Sequence, residues 1–360
     1  MMTYQETVEY LFSRLPMFQR VGAPAYKADL SNTIALCEMV GNPQSKFKSI
    51  HIAGTNGKGS VAHALASIFQ KCGYKTGLFT SPHLKDYRER IKINGELIEE
   101  GYVTRFVDQF IRINSEDLKP SFFELTCAMA FSYFADEEVD IAILEVGMGG
   151  RLDSTNVVNP ELSVITHVSM DHQEFLGDTV EKIAAEKGGI IKENTPVVIS
   201  ENEGRVRRVL EEIAAERSAP RFDVFANSNF LETDLKGSYQ RENMRTVCKS
   251  VEVLRDAGWK LEDKCVQEGA KSVVTTTGLR GRWEEIGKMP RVITDVGHNV
   301  AGVQQVVDHL RKETYVRLHM VWGMVKDKDS KAILSLLPKS ATYYWCCPAV
   351  PRGKNQELLA

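Results

Sequence analysis

The sequence lacks the features that would tie it to a membrane or to an export pathway. No apolar run approaches the length needed to span a bilayer, and the first residues carry no basic segment followed by an apolar one. The seven cysteines are odd in number and have no C-x-x-C spacing, which favours reduced thiols over a disulfide framework or a zinc site. We therefore expect a cytoplasmic protein with no membrane partner.

An excess of charge of either sign is also absent. The 45 Lys and Arg residues nearly balance the 48 Asp and Glu residues, giving a net charge of −3. This balance provides no general attraction for nucleic acid, so an anionic ligand has to be held by local groups. A chain of 360 residues with 43% hydrophobic content is long enough to bury two cores, which predicts two domains.

Short apolar and β-branched runs alternate with longer stretches of helical period. This alternation predicts an α/β fold with a mostly parallel sheet flanked by helices. Glycines and threonines between 275 and 289 indicate the domain boundary, so we expect domains at 1–286 and 287–360. The second is a small unit of roughly 70 residues that ends early. The predicted strands are 49–53, 77–80, 139–146, 162–168, 196–200, 291–296, 316–322 and 342–346, and the clearest helices are 61–72, 300–312 and 330–337.

A glycine-rich loop lies between the first strand and the first clear helix. Such a loop binds phosphate because its backbone N–H groups and the helix dipole attract oxyanions, and Lys58 can reach the terminal phosphates. The loop departs from the pattern G-x-x-x-x-G-K-[ST], since Ile52 replaces the first glycine and Gly59 replaces the hydroxyl residue. The alternative is a purely structural turn. We expect ATP to bind at Gly54, Thr55, Asn56, Gly57, Lys58, Gly59 and Ser60.

Several further segments follow in a fixed order. Ser81-Pro82-His83 comes after the second strand, Glu145 ends a strand before a glycine turn, and His172 follows the next strand. Ligands of open α/β sheets bind at this carboxyl edge. Considered alone, His172 is more often a structural residue, and Lys187 is typical of a solvated helix surface.

Together, the glycine loop and these segments resemble the Mur ligase superfamily and, within it, the folylpolyglutamate and dihydrofolate synthases. The resemblance implies a P-loop ATPase domain joined to a smaller, incomplete Rossmann-like domain. It also implies magnesium ligands at Ser81, Glu145 and His172, with Lys187 as a further ligand once it is carbamylated. The folate-type acceptor would contact Ser81, Pro82, His83, Phe123, Glu124, Arg151 and Asp153.

The later segments extend the resemblance into the second domain. Gly281-Arg282-Trp283 and Asp295-Val296-Gly297-His298-Asn299 stand where the family has its interdomain arginine and its D-G-A-H-N motif. A charged loop at 323–329 matches the spacing G-x-x-x-D-K-D. The resemblance places Asn243, Arg282 and Asp295 at the nucleotide and assigns catalysis to Lys58, Lys187, Asp295 and His298.

The implied activity is an ADP-forming carbon–nitrogen ligase that acts as a monomer. With ATP and Mg²⁺, it would activate a folate or dihydropteroate carboxylate as an acyl phosphate and transfer it to the amine of L-glutamate. Two alternatives stay open: a ligase acting on a cell-wall precursor, and an ATP-binding chain without ligase activity. The first has less support because Ser81-Pro82-His83 points to a folate-type acceptor.

Overall fold

The computed structural model describes residues 2–17, 20, 29–114, 118–202, 204–224, 230–326 and 328–359. Most of the described chain belongs to one large α/β unit, and the last part forms a smaller unit with its own core. The strands are β1 Lys48–Ala53, β2 Thr76–Phe79, β3 Ile91–Ile93, β4 Glu96–Leu97, β5 Ile141–Glu145, β6 Leu162–Ile165, β7 Val197–Ile199, β8 Arg221–Asp223, β9 Glu284–Lys288, β10 Arg291–Thr294, β11 His319–Gly323 and β12 Thr342–Cys346.

Helices fill the connections between these strands, as expected for a parallel sheet. The helices are α1 Tyr4–Arg14, α2 Ser31–Met39, α3 Lys58–Lys71, α4 Glu100–Ile113, α5 Phe122–Asp136, α6 Gln173–Leu176, α7 Val180–Gly188, α8 Gly204–Glu216, α9 Gln240–Asp256, α10 Asp263–Ala270, α11 Val273–Thr277, α12 Val300–Leu310 and α13 Ser330–Leu336. Within the described ranges, no helix is long and apolar enough to cross a bilayer.

The large sheet has the strand order β4-β3-β2-β5-β1-β6-β7-β8. The pairs from β2 to β8 are parallel, whereas β3 and β4 add an antiparallel edge next to β2. Side chains alternate between the two faces, so that Ile141 and Ile143 of β5 pack with α3 and α9, while Ala142 and Leu144 pack with α5. The predicted α/β architecture is therefore confirmed.

The smaller unit contains two separate ladders. Strand β10 pairs antiparallel with β9, and β11 pairs parallel with β12. Helices α12 and α13 cover one side of the second ladder and bury Val303, Val307 and Ile333. The predicted strands at 291–296 and 316–322 are present with different limits, and the strand at 342–346 has the predicted limits.

One expectation about the cysteines was wrong. Cys72, at the end of α3, and Cys265, in α10, form a disulfide with a Cα–Cα distance of 5.1 Å. A sequence separation of 193 residues hides such a pair from any local spacing pattern. The remaining cysteines are free, as expected.

Candidate functional site

The loop between β1 and α3 has the conformation that its glycines predict. Gly54 and Gly57 have φ of 152° and 96°, values that favour glycine. A Cβ atom on Gly54 would lie 1.8 Å from Thr166 Oγ1, because this loop packs directly on the end of β6. Lys58 begins α3 and donates from Nζ to the carbonyl oxygens of Gly54 (2.9 Å) and Thr55 (3.2 Å). Burial lowers the pKa of Lys58, while nearby carboxylates oppose that shift.

Residues at or after the ends of three parallel strands line one cavity together with this loop. Ser81 follows β2, Glu145 ends β5, and His172 follows β6. The backbone N–H of Ser81 donates to Glu145 Oε2 over 2.9 Å. Burial raises the pKa of Glu145, and the charge of Lys58 opposes this rise. Parallel pairing therefore brings the predicted residues to one edge of the sheet, as the topology requires.

The donor atoms at this edge fit a hard cation with few protein ligands. Glu145 supplies a buried carboxylate that faces the phosphate loop, since its Oε1 lies 3.5 Å from the Cβ position of Gly59. Among the described residues there is no group of three or more His, Cys, Asp and Glu side chains arranged to hold a metal. One carboxylate with a nearby serine suits Mg²⁺, which keeps several of its waters.

Lys187 lies inside the protein rather than on a solvated helix surface. The residue is 4% exposed on α7, and its Nζ donates to the carbonyl oxygen of Gly54 over 3.0 Å. Burial lowers the pKa of this amine to about 7, with a further contribution from the charge of Lys58. The lowered pKa makes the neutral form of this amine more accessible than that of an exposed lysine.

The glycine turn after β5 forms one wall with the start of α5. The ring of Phe123 packs against Gly147 so closely that a Cβ there would lie 2.5 Å from Phe123 Cζ. Asp153 is buried behind the turn and accepts a hydrogen bond from the Met148 N–H over 2.9 Å. Burial raises the pKa of Asp153, and hydrogen bonds from neighbouring donors oppose the rise. The wall offers a flat apolar surface beside the carboxylate of Asp153.

Some predicted acceptor residues have structural partners instead. Arg151 points outward and forms an ion pair of 2.7 Å with Glu186. Glu124 lines the cavity, but it also closes the capping box of α5 by accepting from the Ser121 N–H over 2.6 Å. His83 lies behind the cavity wall, where its Nδ1 accepts from Arg90 Nε over 2.7 Å. Burial lowers the pKa of His83 to about 4.

The smaller unit and the start of α9 contribute the opposite side of the cavity. Arg282 Nη2 lies 3.2 Å from the Cβ position of Gly59. Asp295 accepts hydrogen bonds from Tyr239 Oη (2.7 Å), the Trp283 N–H (2.9 Å) and the Gly297 N–H (2.8 Å). On α9, Asn243 Oδ1 lies 2.5 Å from the Cβ position of Gly57.

Asp171 connects the two units, a role that the sequence analysis missed. Lys328 Nζ donates to its Oδ1, Asn299 Nδ2 donates to its Oδ2 over 3.1 Å, and His298 Nε2 lies 3.6 Å from Oδ2. Burial raises the pKa of Asp171, but the side chains of His298 and Lys328 lower it by more. The charged loop at 323–329 was the available signal for Lys328, whereas its Asp327 lies outside the described residues.

All of these elements surround one cavity of about 840 Å³. A cavity of this size accommodates a nucleotide together with parts of a second substrate. Arg151 and His83 are not among its lining residues. Of the other predicted site residues, the lining includes Gly54, Thr55, Asn56, Gly57, Lys58, Gly59, Ser60, Ser81, Pro82, Phe123, Glu124, Glu145, Asp153, His172, Lys187, Asn243, Arg282, Asp295 and His298.

Comparison with known proteins gives consistent matches. The family model "Mur ligase middle domain" matches residues 52–254, and "Mur ligase, glutamate ligase domain" matches residues 281–360. Folylpolyglutamate synthase of Lacticaseibacillus casei is 32% identical, over 98% of this chain and 87% of its own length. Dihydrofolate synthase/folylpolyglutamate synthase of Bacillus subtilis is 32% identical, over 93% of this chain and 82% of its own.

A bifunctional protein of Haloferax volcanii, described as a probable folylpolyglutamate synthase/dihydropteroate synthase, is 31% identical over all of this chain. The chain spans 45% of that longer protein. A solved FPGS–AMPPCP–folate complex matches with a TM-score of 0.85 at 30% identity, covering 95% of this chain and 88% of the other. A structure of E. coli FolC with DHPP and ADP matches with a TM-score of 0.86 at 27% identity, covering 99% and 86%.

Proposed function

Since the chain belongs to the folylpolyglutamate and dihydrofolate synthase family of Mur ligases, we propose that it joins L-glutamate to a folate or dihydropteroate carboxylate, with ATP cleaved to ADP. The observation that carries this proposal is the single cavity in which Lys58, Glu145 and Lys187 of the large unit face Arg282 and His298 of the small one. Phosphoryl transfer needs positive groups around the phosphates, and ligation needs a second site beside them. This cavity provides both the positive groups and the room for a second substrate.

ATP binds with its phosphates on the loop from Gly54 to Ser60 in this proposal. The N–H groups at the start of α3 face the phosphate oxygens, and Lys58 exchanges its two carbonyl partners for them. Arg282 approaches the same loop from the small unit and neutralises charge on the transferred phosphate. Asn243 and Asp295 contact the ribose or adenine side of the nucleotide.

Magnesium is the metal that we propose for the carboxyl edge of the sheet. Ser81, Glu145 and His172 would hold it, and Lys187 would join them as a carbamate. When bound, Mg²⁺ supplies charge neutralisation at the phosphates. Glu145 contributes a buried carboxylate, and the lowered pKa of Lys187 favours its reaction to a carbamate. Both groups offer oxygen ligands, which Mg²⁺ prefers.

The acceptor carboxylate attacks the γ-phosphate and displaces ADP. The amine of L-glutamate then attacks the resulting acyl phosphate, loses a proton and displaces phosphate. We assign the acceptor's flat ring to the wall formed by Phe123, Gly147 and Asp153, with contributions from Ser81, Pro82 and Glu124, which line the same cavity. His298 is well placed to orient a group or move a proton, because its side chain is 57% exposed and lies beside Asp171.

The predicted division at 1–286 and 287–360 would cut β9, which pairs with β10, so we propose that the smaller domain begins before β9 and includes Arg282, with the cavity between the two parts. Closing this cavity keeps water away from the acyl phosphate, which would otherwise be hydrolysed. The proposed groups all come from one chain, so a monomer suffices for activity.

The test is phosphate release from ATP and magnesium with dihydropteroate or tetrahydrofolate, each with and without L-glutamate. Release that requires acceptor, glutamate and Lys58 would support the ligase, and the acceptor dependence identifies the substrate. Lys58→Ala should abolish release, whereas exposed Lys339→Ala serves as the matched control. ATP binding without release would favour a binding protein, and release only with a nucleotide-linked peptide would favour a cell-wall ligase.

A further inference from the structure

Two buried polar residues connect the middle of the sheet to the acceptor wall. His51 lies in β1, is 0% exposed, and its Nε2 lies 2.8 Å from Thr155 Oγ1. Thr155 Oγ1 lies 2.5 Å from Asp153 Oδ1, and the backbone N–H of Thr155 donates to the same oxygen over 3.0 Å. A continuous chain of hydrogen bonds thus runs from β1 to the cavity.

The direction of this chain follows from the hydrogens that are available. A threonine hydroxyl has one proton, and the carboxylate of Asp153 can only accept, so Thr155 Oγ1 donates to Asp153. The lone pairs of that hydroxyl then accept from His51, which must carry its proton on Nε2. The order is therefore imidazole N–H to hydroxyl to carboxylate.

The other imidazole nitrogen agrees with this assignment. His51 Nδ1 is buried without a hydrogen-bond partner among the described residues. An unprotonated nitrogen is tolerated there, whereas an added N–H would be a buried donor with no acceptor. Burial accordingly lowers the pKa of His51 to about 3. His51 is held as one neutral tautomer and cannot take the proton from Thr155.

Asp153 receives donors on both of its oxygens. Oδ1 accepts from Thr155 twice, Oδ2 accepts from the Met148 N–H over 2.9 Å, and the Gly147 N–H is a further donor to the carboxylate. Each donor favours the ionised carboxylate and fixes its orientation. Asp153 and Phe123 both line the cavity, and the ring of Phe123 packs against Gly147, whose N–H is one of these donors.

We propose that His51 and Thr155 are positioning residues that hold Asp153 as an ionised, oriented acceptor for N–H donors on the edge of the flat heterocycle of the acceptor substrate. This inference rests on the proposed function and adds to it two buried residues that affect how the acceptor substrate is bound. Neither residue lines the cavity. Their effect reaches the substrate only through Asp153.

The experiment compares Thr155→Val with Thr155→Ser in the full chain. Valine keeps the shape and removes the hydroxyl, whereas serine keeps the hydroxyl. Because a hydrogen bond to a charged group is lost, we expect Thr155→Val to raise the KM for the acceptor by about tenfold. The KM for ATP should stay unchanged, and Thr155→Ser should restore the acceptor KM.

Ser163→Ala is the matched control for loss of a buried hydroxyl. Ser163 lies next to His51 on β6, and its Oγ donates to the Ile190 carbonyl oxygen over 2.9 Å, away from Asp153. This variant should leave the acceptor KM unchanged. ¹⁵N NMR of His51 provides a second readout, with the proton on Nε2 expected in the wild type.

The outcomes separate this inference from the function on which it depends. If the wild type is active and Thr155→Val leaves the acceptor KM unchanged, the positioning role alone is overturned. A His51 proton on Nδ1 would overturn it as well. Equal increases of the KM for ATP and acceptor would show a general structural effect and also overturn it. A wild type without acceptor-dependent turnover would overturn the proposed function as well.

Discussion

The side-chain amides of Asn56 and Asn299 donate to each other's oxygens over 3.2 and 3.1 Å. Asn56 belongs to the phosphate loop, and Asn299 is the N-cap of α12, where its Oδ1 also accepts from the Gly302 N–H over 2.8 Å. The second N–H of Asn299 donates to Asp171 over 3.1 Å. One amide therefore connects the phosphate loop, the end of β6 and the small unit.

Asn299→Ser should separate the capping role of this residue from its contact with the phosphate loop. Serine caps helices well but is too short to reach Asn56 and Asp171. The loss of these hydrogen bonds should lower kcat/KM for ATP about tenfold. Steady-state kinetics measure this change, and thermal unfolding should show little loss of stability.

Asn299→Ala provides the comparison, because it removes the cap as well. We expect a similar kinetic defect together with a loss of about 1 kcal/mol of stability. Wild-type kcat/KM in the serine variant would mean that the Asn56–Asn299 pair has no part in the nucleotide reaction.

Lys187 should react with carbon dioxide in a pH-dependent way. Burial lowers the pKa of its amine to about 7, so the neutral, reactive form predominates above that pH and the cationic form below it. Carbamate should therefore accumulate as the pH rises through about 7. ¹³C NMR with labelled bicarbonate detects this group, and activity should increase in parallel.

Lys187→Arg should abolish the carbamate signal and most of the activity. Lys192→Arg is a suitable control, because Lys192 is a half-buried lysine close to Lys187 in sequence. Its Nζ donates to the Asn156 carbonyl oxygen. A carbamate signal that persists in Lys187→Arg would refute the assignment.

Much of the large sheet was predictable, because strands buried on both faces are read from the sequence as apolar runs. The predicted runs at 49–53 and 162–168 correspond to β1 and β6. Strand β9 was missed, since Glu284–Lys288 carries three charges and pairs on one side only. The local sequence pattern is a weak indicator of a strand wherever that strand is exposed.

Site residues that belong to a local motif could be predicted from the sequence. Contacts between residues of distant segments could not be predicted. The glycine at position 59 seemed a departure from the usual loop, but it leaves room for Arg282 and Glu145. Asp171 stood next to a predicted ligand, yet its partners Asn299 and Lys328 come from the other unit. These contacts depend on how the two units pack.

The Cys72–Cys265 disulfide should stabilise the helix that starts at the phosphate loop. It joins the ends of a chain segment with a sequence separation of 193 residues, so it restricts the unfolded chain strongly. Its loss should cost about 3–5 kcal/mol in the free energy of unfolding. Denaturant unfolding with and without a reductant measures this difference.

Cys72→Ser should reproduce the effect of the reductant and remove any further response to it. Cys248→Ser is the control, because Cys248 is free and half-buried. A reductant that leaves the unfolding curve of the wild type unchanged would contradict a stabilising disulfide.

Gly150→Ala tests the close approach that holds α7 against the glycine turn. A Cβ at position 150 would lie 2.8 Å from the Glu186 carbonyl oxygen and 2.9 Å from that of Lys187, and neither backbone atom can turn away. The helix must shift, which should cost about 1–3 kcal/mol of stability. Because Lys187 moves with it, turnover should fall more than ATP binding.

Gly204→Ala is the matched control, since in the described part of the chain no atom outside its own helical turn lies within 4 Å of its Cβ position at the start of α8. That change should be neutral or stabilise by up to about 1 kcal/mol, because alanine restricts the unfolded chain. Thermal unfolding, turnover and nucleotide affinity of the two variants decide the question. If Gly150→Ala behaved like Gly204→Ala in all three, the position of α7, and with it the position of Lys187, would not depend on this contact.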